Sequence, residues 1–198
     1  MRPPVIAGLI SLILGIGVLV FLMNQKRDIK VFVPPKANDL PTYGVAPDFM
    51  LTDTENASFD SKQLQGKVWV ADFFFSSCGG PCPLMAGNMQ TLQAQFGNRD
   101  DVRLVNISVD PETDTPEELK NYAKRLKANT DFWHFLGGPE EEIKRISVDG
   151  FKIGNADNIM NHSPKFVLVD RQGMIRGYYT GTEPTETQKL IQDLEMLL

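Results

Sequence analysis

Apolar and polar positions divide the chain into an N-terminal block and an alternating remainder. Residues 5–23 read VIAGLISLILGIGVLVFLM, a run without a charge, bounded by Arg2 on one side and Lys26-Arg27 on the other. About 20 apolar residues span a bilayer as a helix, whereas the core of a cleaved signal is about 7–15. No small-x-small cleavage pattern follows, so residues 1–23 are expected to be a retained membrane anchor. Residues 24–46 are polar, contain Pro34, Pro35 and Pro41, and lack sustained periodicity. They are expected to be a linker, with residues 47–198 following as a single domain.

Within that domain the pattern predicts alternating strands and helices. Segment 67–75 (KVWVADFFF) is dense in β-branched and aromatic residues, as a buried central strand requires, and 102–109 (VRLVNISV) reads as a second one. Between them Leu84, Met85, Met89, Leu92 and Phe96 recur near helical spacing and predict a helix over 83–96. A short strand is expected at 48–51, followed by a turn at 53–56. Thr115 is placed to cap a helix, with Pro116 at its first position and Glu117 and Glu118 complementing its dipole. A further helix is expected at 140–146. A β-hairpin is expected at 165–170 and 174–179 around Arg171-Gln172-Gly173, and a closing helix at 185–197. The order predicts an α/β thioredoxin-like fold, a central mixed sheet flanked by helices, with an insertion before the final hairpin. Chemistry in such sheets lies beyond the carboxyl ends of strands, where 67–75 meets the next helix.

Composition narrows the function. Of 198 residues, 42% are hydrophobic and 23% charged, as in an ordinary globular protein. A net charge of −5 excludes the basic footprint of a nucleic-acid binder. Two cysteines are too few for a disulfide scaffold and read as a redox or metal pair. Cys78 and Cys82 are separated by Gly79, Gly80 and Pro81, one residue more than in the usual dithiol oxidoreductase. The longer loop lets both sulfurs converge on one ion. Thiolates are soft donors suited to Cu(I) or Zn, and a helix N-terminus lowers the thiol pKa that binding must overcome. By itself this segment fits a metal site and a redox disulfide equally well.

His162 weighs on that choice. It lies in NHSP immediately before the strand KFVLVD, and in a thioredoxin-like fold that turn faces the cysteine loop. Two thiolates and one imidazole form a Cys2His set, which suits copper and leaves a position open for exchange. The other histidine, His134 in DFWHFLGG, is expected to be structural at a strand edge. Met85 and Met89 are expected to face the core. Asp110, Glu112 and Asp114 read either as tuning charges or a docking surface near the site or, the reading preferred, as acids that favour the helix N-terminus in a strand-to-helix loop shaped by Asp110 and Pro111.

At this point the chain resembles the Sco/SenC family of copper-binding proteins. The resemblance covers nearly everything after about residue 45, together with the anchor ahead of it. It rests on the CxxxCP loop at 78–83, SVDPETDTPEEL at 108–119, FWHFLGG at 132–138 and NHSPKFVLVDRQGMIRGYY at 161–179. It implies a thioredoxin fold, copper held by Cys78, Cys82 and His162, and a role in assembling cytochrome c oxidase. The implied partner is the oxidase subunit carrying the dinuclear copper site, to which the protein would deliver copper or whose cysteines it would reduce. It also implies a soluble domain on the extracytoplasmic side. The local count of Lys26, Arg27 and Lys30 against Arg2 would by itself put that domain in the cytoplasm.

The chain departs from the family pattern at Gly79-Gly80, where bulkier residues are usual, and at Asn161, where the family often has an acid. Pro164 stands six residues before Asp170, the spacing of the cis-proline in redox-active thioredoxin-like proteins, and predicts a cis Ser163–Pro164 bond. That detail favours the alternative, a membrane-anchored thiol–disulfide oxidoreductase with Cys78 and Cys82 as attacking and resolving thiols. His162 separates the two readings, because dithiol exchange has no need of it. A peroxide-reducing relative is a weaker third, since Ser76-Ser77-Cys78 lacks the threonine that chemistry uses.

Overall fold

Strands form where the sequence is richest in β-branched and aromatic residues, and both faces of the resulting sheet are covered. The computed structural model describes residues 40–198. The expected anchor, and the expected linker as far as residue 39, lie outside the described residues. Among the described residues no helix is long and apolar enough to cross a membrane.

The strands are β1 (Gly44–Val45), β2 (Met50–Thr52), β3 (Ser58–Asp60), β4 (Val68–Phe74), β5 (Val102–Ser108), β6 (Trp133–Leu136), β7 (Lys165–Val169) and β8 (Met174–Thr180). Six of them make one mixed sheet in the order β1-β8-β7-β4-β5-β6. β4, β5 and β6 run parallel, with β4 in register from Val68 opposite Val102 to Phe74 opposite Ser108. β7, β8 and β1 add antiparallel neighbours on the other side of β4. β2 and β3 form a separate hairpin that touches the rest through a bridge from Thr52 to Gly137.

The helices are α1 (Cys82–Phe96), α2 (Pro116–Arg125), α3 (Glu140–Lys144) and α4 (Pro184–Leu197). Alternation along β4 feeds two cores. Val68, Val70 and Phe74 pack with Met85, Met89 and Leu92 of α1, Leu119 of α2, and Leu190 and Leu194 of α4. Trp69, Ala71 and Phe73 pack on the opposite face with Phe49, Phe59, Ile143, Ile146 and Phe151. A strand buried on both faces needs an unbroken apolar run, which is why KVWVADFFF shows no polar alternation. Burying each of its large side chains contributes about 1.5–3 kcal/mol.

Local differences from expectation have visible causes. α1 starts at Cys82, because Pro81 stands as its cap, and the main-chain N–H groups of Leu84 and Met85 both donate to the Pro81 carbonyl at 3.1 Å. The helix expected at 140–146 is a five-residue helix continued by a wider turn, Arg145–Gly150. The early strand shifts to Met50–Thr52, because the Phe49 N–H donates to Ser61 Oγ (2.9 Å) rather than to a strand. The last residues of the expected linker run along the sheet, where β1 pairs with β8 and Arg176 donates to the carbonyls of Leu40 (2.8 Å) and Pro41 (3.0 Å).

The expectation of a cis Ser163–Pro164 bond is corrected: among the described residues every peptide bond is trans. The trans chain closes a tight turn there instead. The Lys165 N–H donates to the Ser163 carbonyl (2.8 Å), and the Pro164 carbonyl accepts the Gly181 N–H (2.9 Å).

Candidate metal centre

The cysteine loop occupies residues 75–81, between the carboxyl end of β4 and the start of α1. A turn closes it where the Cys78 N–H donates to the Phe75 carbonyl (3.2 Å). The Ser76 N–H, just past the end of the strand, donates to the Asp114 carboxylate at 3.0 and 3.3 Å. Both thiols are free; Cys78 is half-buried and Cys82 is 3% exposed, packed in the core beneath the loop. The Cys78 thiol neighbours that of Cys82 closely enough to influence its titration. Burial, then the neighbouring Cys78 thiol, pushes the Cys82 thiol up to about 12. The lowering expected at a helix N-terminus is therefore overruled at Cys82, because desolvation of a buried thiolate outweighs the helix field. The pair is asymmetric, with one accessible sulfur and one buried. Gly79 and Gly80 are not demanded by packing: a Cβ at Gly79 would meet nothing within 4 Å, and one at Gly80 would only approach the Cys78 sulfur at 3.9 Å.

His162 sits on the loop that precedes β7. Two contacts pin that loop to α1: Asn88 Nδ2 donates to the Gly181 carbonyl (2.7 Å), and the Gly181 N–H donates to the Pro164 carbonyl. Gly181 also lies against Met85, so closely that a Cβ there would come within 2.7 Å of the Met85 methyl. The Pro164 end of this loop is thus tied, through Gly181, to Met85 and Asn88 of α1. The ring is half-buried, and burial holds its pKa below the ordinary value, which favours the neutral, ligating form. Its Nδ1 lies 3.2 Å from the Ser163 carbonyl. Donation there would leave Nε2 as the ligating nitrogen. Among the described residues, no three His, Cys, Asp or Glu side chains converge closely enough to enclose an ion. The structure brings the two sulfurs together and sets His162 on the separate loop before β7. The donor types fit copper: two soft sulfurs and an imidazole.

Two acids belong to this end of the sheet. Asp72, on β4, points into the core that holds α1 and is 1% exposed; burial pushes its carboxyl well above the carboxylate range. Asn106 Nδ2 donates to it (3.0 Å), and Trp133 Nε1 donates in turn to Asn106 Oδ1 (2.8 Å). Asp72 is also among the lesser influences raising the Cys82 thiol, behind burial and Cys78. A lone acid within KVWVADFFF was the available signal. Asp114 is 3% exposed and accepts from Ser76 and Ser108 instead of facing solvent at the start of α2.

The remaining candidates have other surroundings. Met85 and Met89 are buried in the core. His134 lies on the edge strand β6, its ring 4.8 Å from that of Phe59, beside Lys67 and Arg103 at the amino end of the sheet. Burial, then Arg103, pushes its pKa down to about 4. Asp110 and Glu112 line a small cleft with Glu140, Asp157 and Met160.

Comparison with known proteins shows the family. The SCO1/SenC family model matches residues 37–198. The SCO1 protein homolog of Bacillus subtilis is 35% identical over 160 residues, covering 77% of this chain and 82% of that protein. The structure of BsSco, described as a member of the Sco family of cytochrome c oxidase assembly proteins with a disulfide switch, superposes with a TM-score of 0.70 at 30% identity. It covers 82% of this chain and 98% of that one. The copper-bound structure of Bradyrhizobium japonicum ScoI superposes with a TM-score of 0.62 at 26% identity, over 78% of this chain and 99% of that one. The chain belongs to the SCO1/SenC family.

Proposed function

We propose that the protein binds one copper ion through Cys78, Cys82 and His162 and serves in the assembly of cytochrome c oxidase. It would deliver copper to the oxidase subunit that carries the dinuclear copper site, or prepare the cysteines of that site. The carrying observation is the pair of free thiols where β4 passes into α1, one accessible and one buried, in a family with a copper-bound member. Bound copper supplies a one-electron couple and a cargo to hand on. The residues supply the rest. Cys78 offers an accessible sulfur for entry and exit, and buried Cys82 gives up a proton when it ligates. His162 contributes a neutral nitrogen from a separate loop, so the site can open by moving one turn without disturbing the sheet. The apolar run at 5–23 supports a membrane-anchored protein with this domain on the extracytoplasmic side.

Mixing copper-loaded protein with the metal-free oxidase subunit tests this reading. Delivery gives the absorption of a dinuclear copper site in the subunit. Preparation gives free thiols in a subunit supplied with its cysteines oxidised. Neither change, with the protein fully loaded and reduced, contradicts the assignment.

The alternative, a thiol–disulfide oxidoreductase without metal, uses the same two sulfurs but leaves His162 without a task. It predicts turnover of disulfide substrates that is indifferent to His162→Ala.

A further inference from the structure

The main-chain ladder between β4 and β5 ends at Phe74 opposite Ser108, with one further bond from the Val109 N–H to the Phe74 carbonyl (2.8 Å). Past that point the cysteine loop leaves the sheet, and its first free donor is the Ser76 N–H. A buried donor without a partner would cost about 1–3 kcal/mol. Asp114 meets it with both carboxylate oxygens, and the same Oδ2 accepts the Ser108 hydroxyl at 2.5 Å. One carboxylate therefore ties the end of β5 to the residue two before Cys78.

Asp114 is itself held rigidly. Its N–H donates to the Asp110 carbonyl (2.9 Å), and the next residue, Thr115, caps α2 by accepting the Glu118 N–H (3.3 Å). α2 in turn is fixed by Leu119, which is fully buried. The expectation that Asp114 merely favours the N-terminus of α2 does not account for this. Its carboxylate bonds, as described, go to Ser76 and Ser108, while Thr115 supplies the cap of α2. Resting on the copper reading above, we propose that Asp114 is a positioning residue. Through the Ser76 N–H it holds the Cys78 arm of the loop in place, so that the Cys78 sulfur stays beside that of Cys82. Groups that orient ligands in this way are commonly worth about 10–100-fold in metal affinity.

Asp114→Ala and Asp114→Asn in the full chain test the proposal with two readouts. The first, in metal-free reduced protein, is hydrogen exchange of the Ser76 amide against amides of β4, together with the rate of Cys78 alkylation by iodoacetamide. The second is copper affinity by competition with a chelator. In Asp114→Ala, Ser76 exchange is expected to speed at least about 10-fold while β4 amides stay protected, alkylation is expected to change, and copper binding is expected to weaken about 10–100-fold. Asp114→Asn keeps one oxygen for Ser76 and should recover part of each effect. Unchanged Ser76 exchange with unchanged affinity would overturn the proposal. So would a rise in exchange shared equally by β4, which marks a purely structural role. If Asp114→Ala does not fold, Ser108→Ala decides: a smaller shift of Ser76 exchange in the same direction supports the proposal, and none removes it. Should the unaltered protein bind no copper, the copper reading fails on that ground, and the exchange readout still decides whether Asp114 holds the loop.

Discussion

The two ends of the parallel strands are held by different means. At the amino end, Asp101 bridges two guanidinium groups, Arg99 at 2.9 Å and Arg171 at 2.7 Å, which hold its carboxyl far below the usual range. Lys67 and Arg103 both donate to the Asp100 carbonyl, and Arg171 reaches the C-terminal carbonyl of Leu198. At the carboxyl end, none of the ion pairs found among the described residues involves residues 75–81, 109–115 or 155–164. There the loops are held by main-chain turns and by the Asp114 carboxylate. Exposed ion pairs contribute little each, about 0–1 kcal/mol, but several together clamp loops that have no other task. The thiol end needs the opposite arrangement. A guanidinium beside Cys78 would compete with a metal cation for the thiolate, and hydrogen bonds through N–H groups fix the loop without that competition. The two histidines follow the same division: His134 lies tilted against Phe59 where the fold is clamped, and His162 sits on the loop before β7.

The comparison can be broken most severely at the sulfurs. Cys78→Ser or Cys82→Ser should lower copper affinity by about 1,000-fold or more, since a soft donor is replaced by a hard one; chelator competition measures this. His162→Ala should cost about 100-fold in the same assay, and His134→Ala should cost nothing, although it removes the chain's other imidazole.

The amino end answers to acid instead. The folded pKa of His134 is depressed from 6.5 to about 4, so the unfolded chain takes up the proton first. Stability is therefore complete above pH 6.5 and is lost as pH falls from there toward 4, by an amount on the order of 2 kcal/mol. His134→Phe should flatten that decline in denaturant titrations at pH 7, 5.5 and 4.5 without changing copper binding. A decline just as steep in the variant would assign the acid sensitivity elsewhere. At the thiol end the pH effect has a different readout. With its pKa near 12, Cys82 is protonated throughout the neutral range, so ligation releases its proton. Copper affinity should rise about 10-fold per pH unit for each thiol proton displaced, between pH 6 and 8. An affinity flat over that range would mean that Cys82 does not ligate as the thiolate.

Much of this division was legible in the sequence. The apolar runs 67–75 and 102–109 could only be buried strands, the hairpin declared itself through Arg171-Gln172-Gly173, and Thr115-Pro116 marked the start of α2. The CxxxC spacing placed both sulfurs at one strand end. What escaped depends on tertiary surroundings. Asp114 beside a helix start looks like any acid that favours a helix dipole, and only its burial against Ser76 and Ser108 gives it another role. The Cys82 pKa reverses its expected direction because the core closes over the sulfur, which no local pattern reports. β6 is four residues long and was legible only as a strand edge at His134; pairing with β5 gives it its extent. Pro164 kept the spacing of a cis-proline but not its geometry, because the Ser163 and Pro164 carbonyls find partners in the trans chain.

The central claim is that Cys78, Cys82 and His162 together hold one copper. Titrating the purified, reduced full chain with Cu(II) while recording visible absorption tests it most directly. Thiolate-to-Cu(II) charge-transfer bands should grow to an end point at one copper per chain, vanish in Cys78→Ser and in Cys82→Ser, and shift and weaken in His162→Ala. Bands that persist at the same stoichiometry without either cysteine, or that are identical without His162, would contradict it.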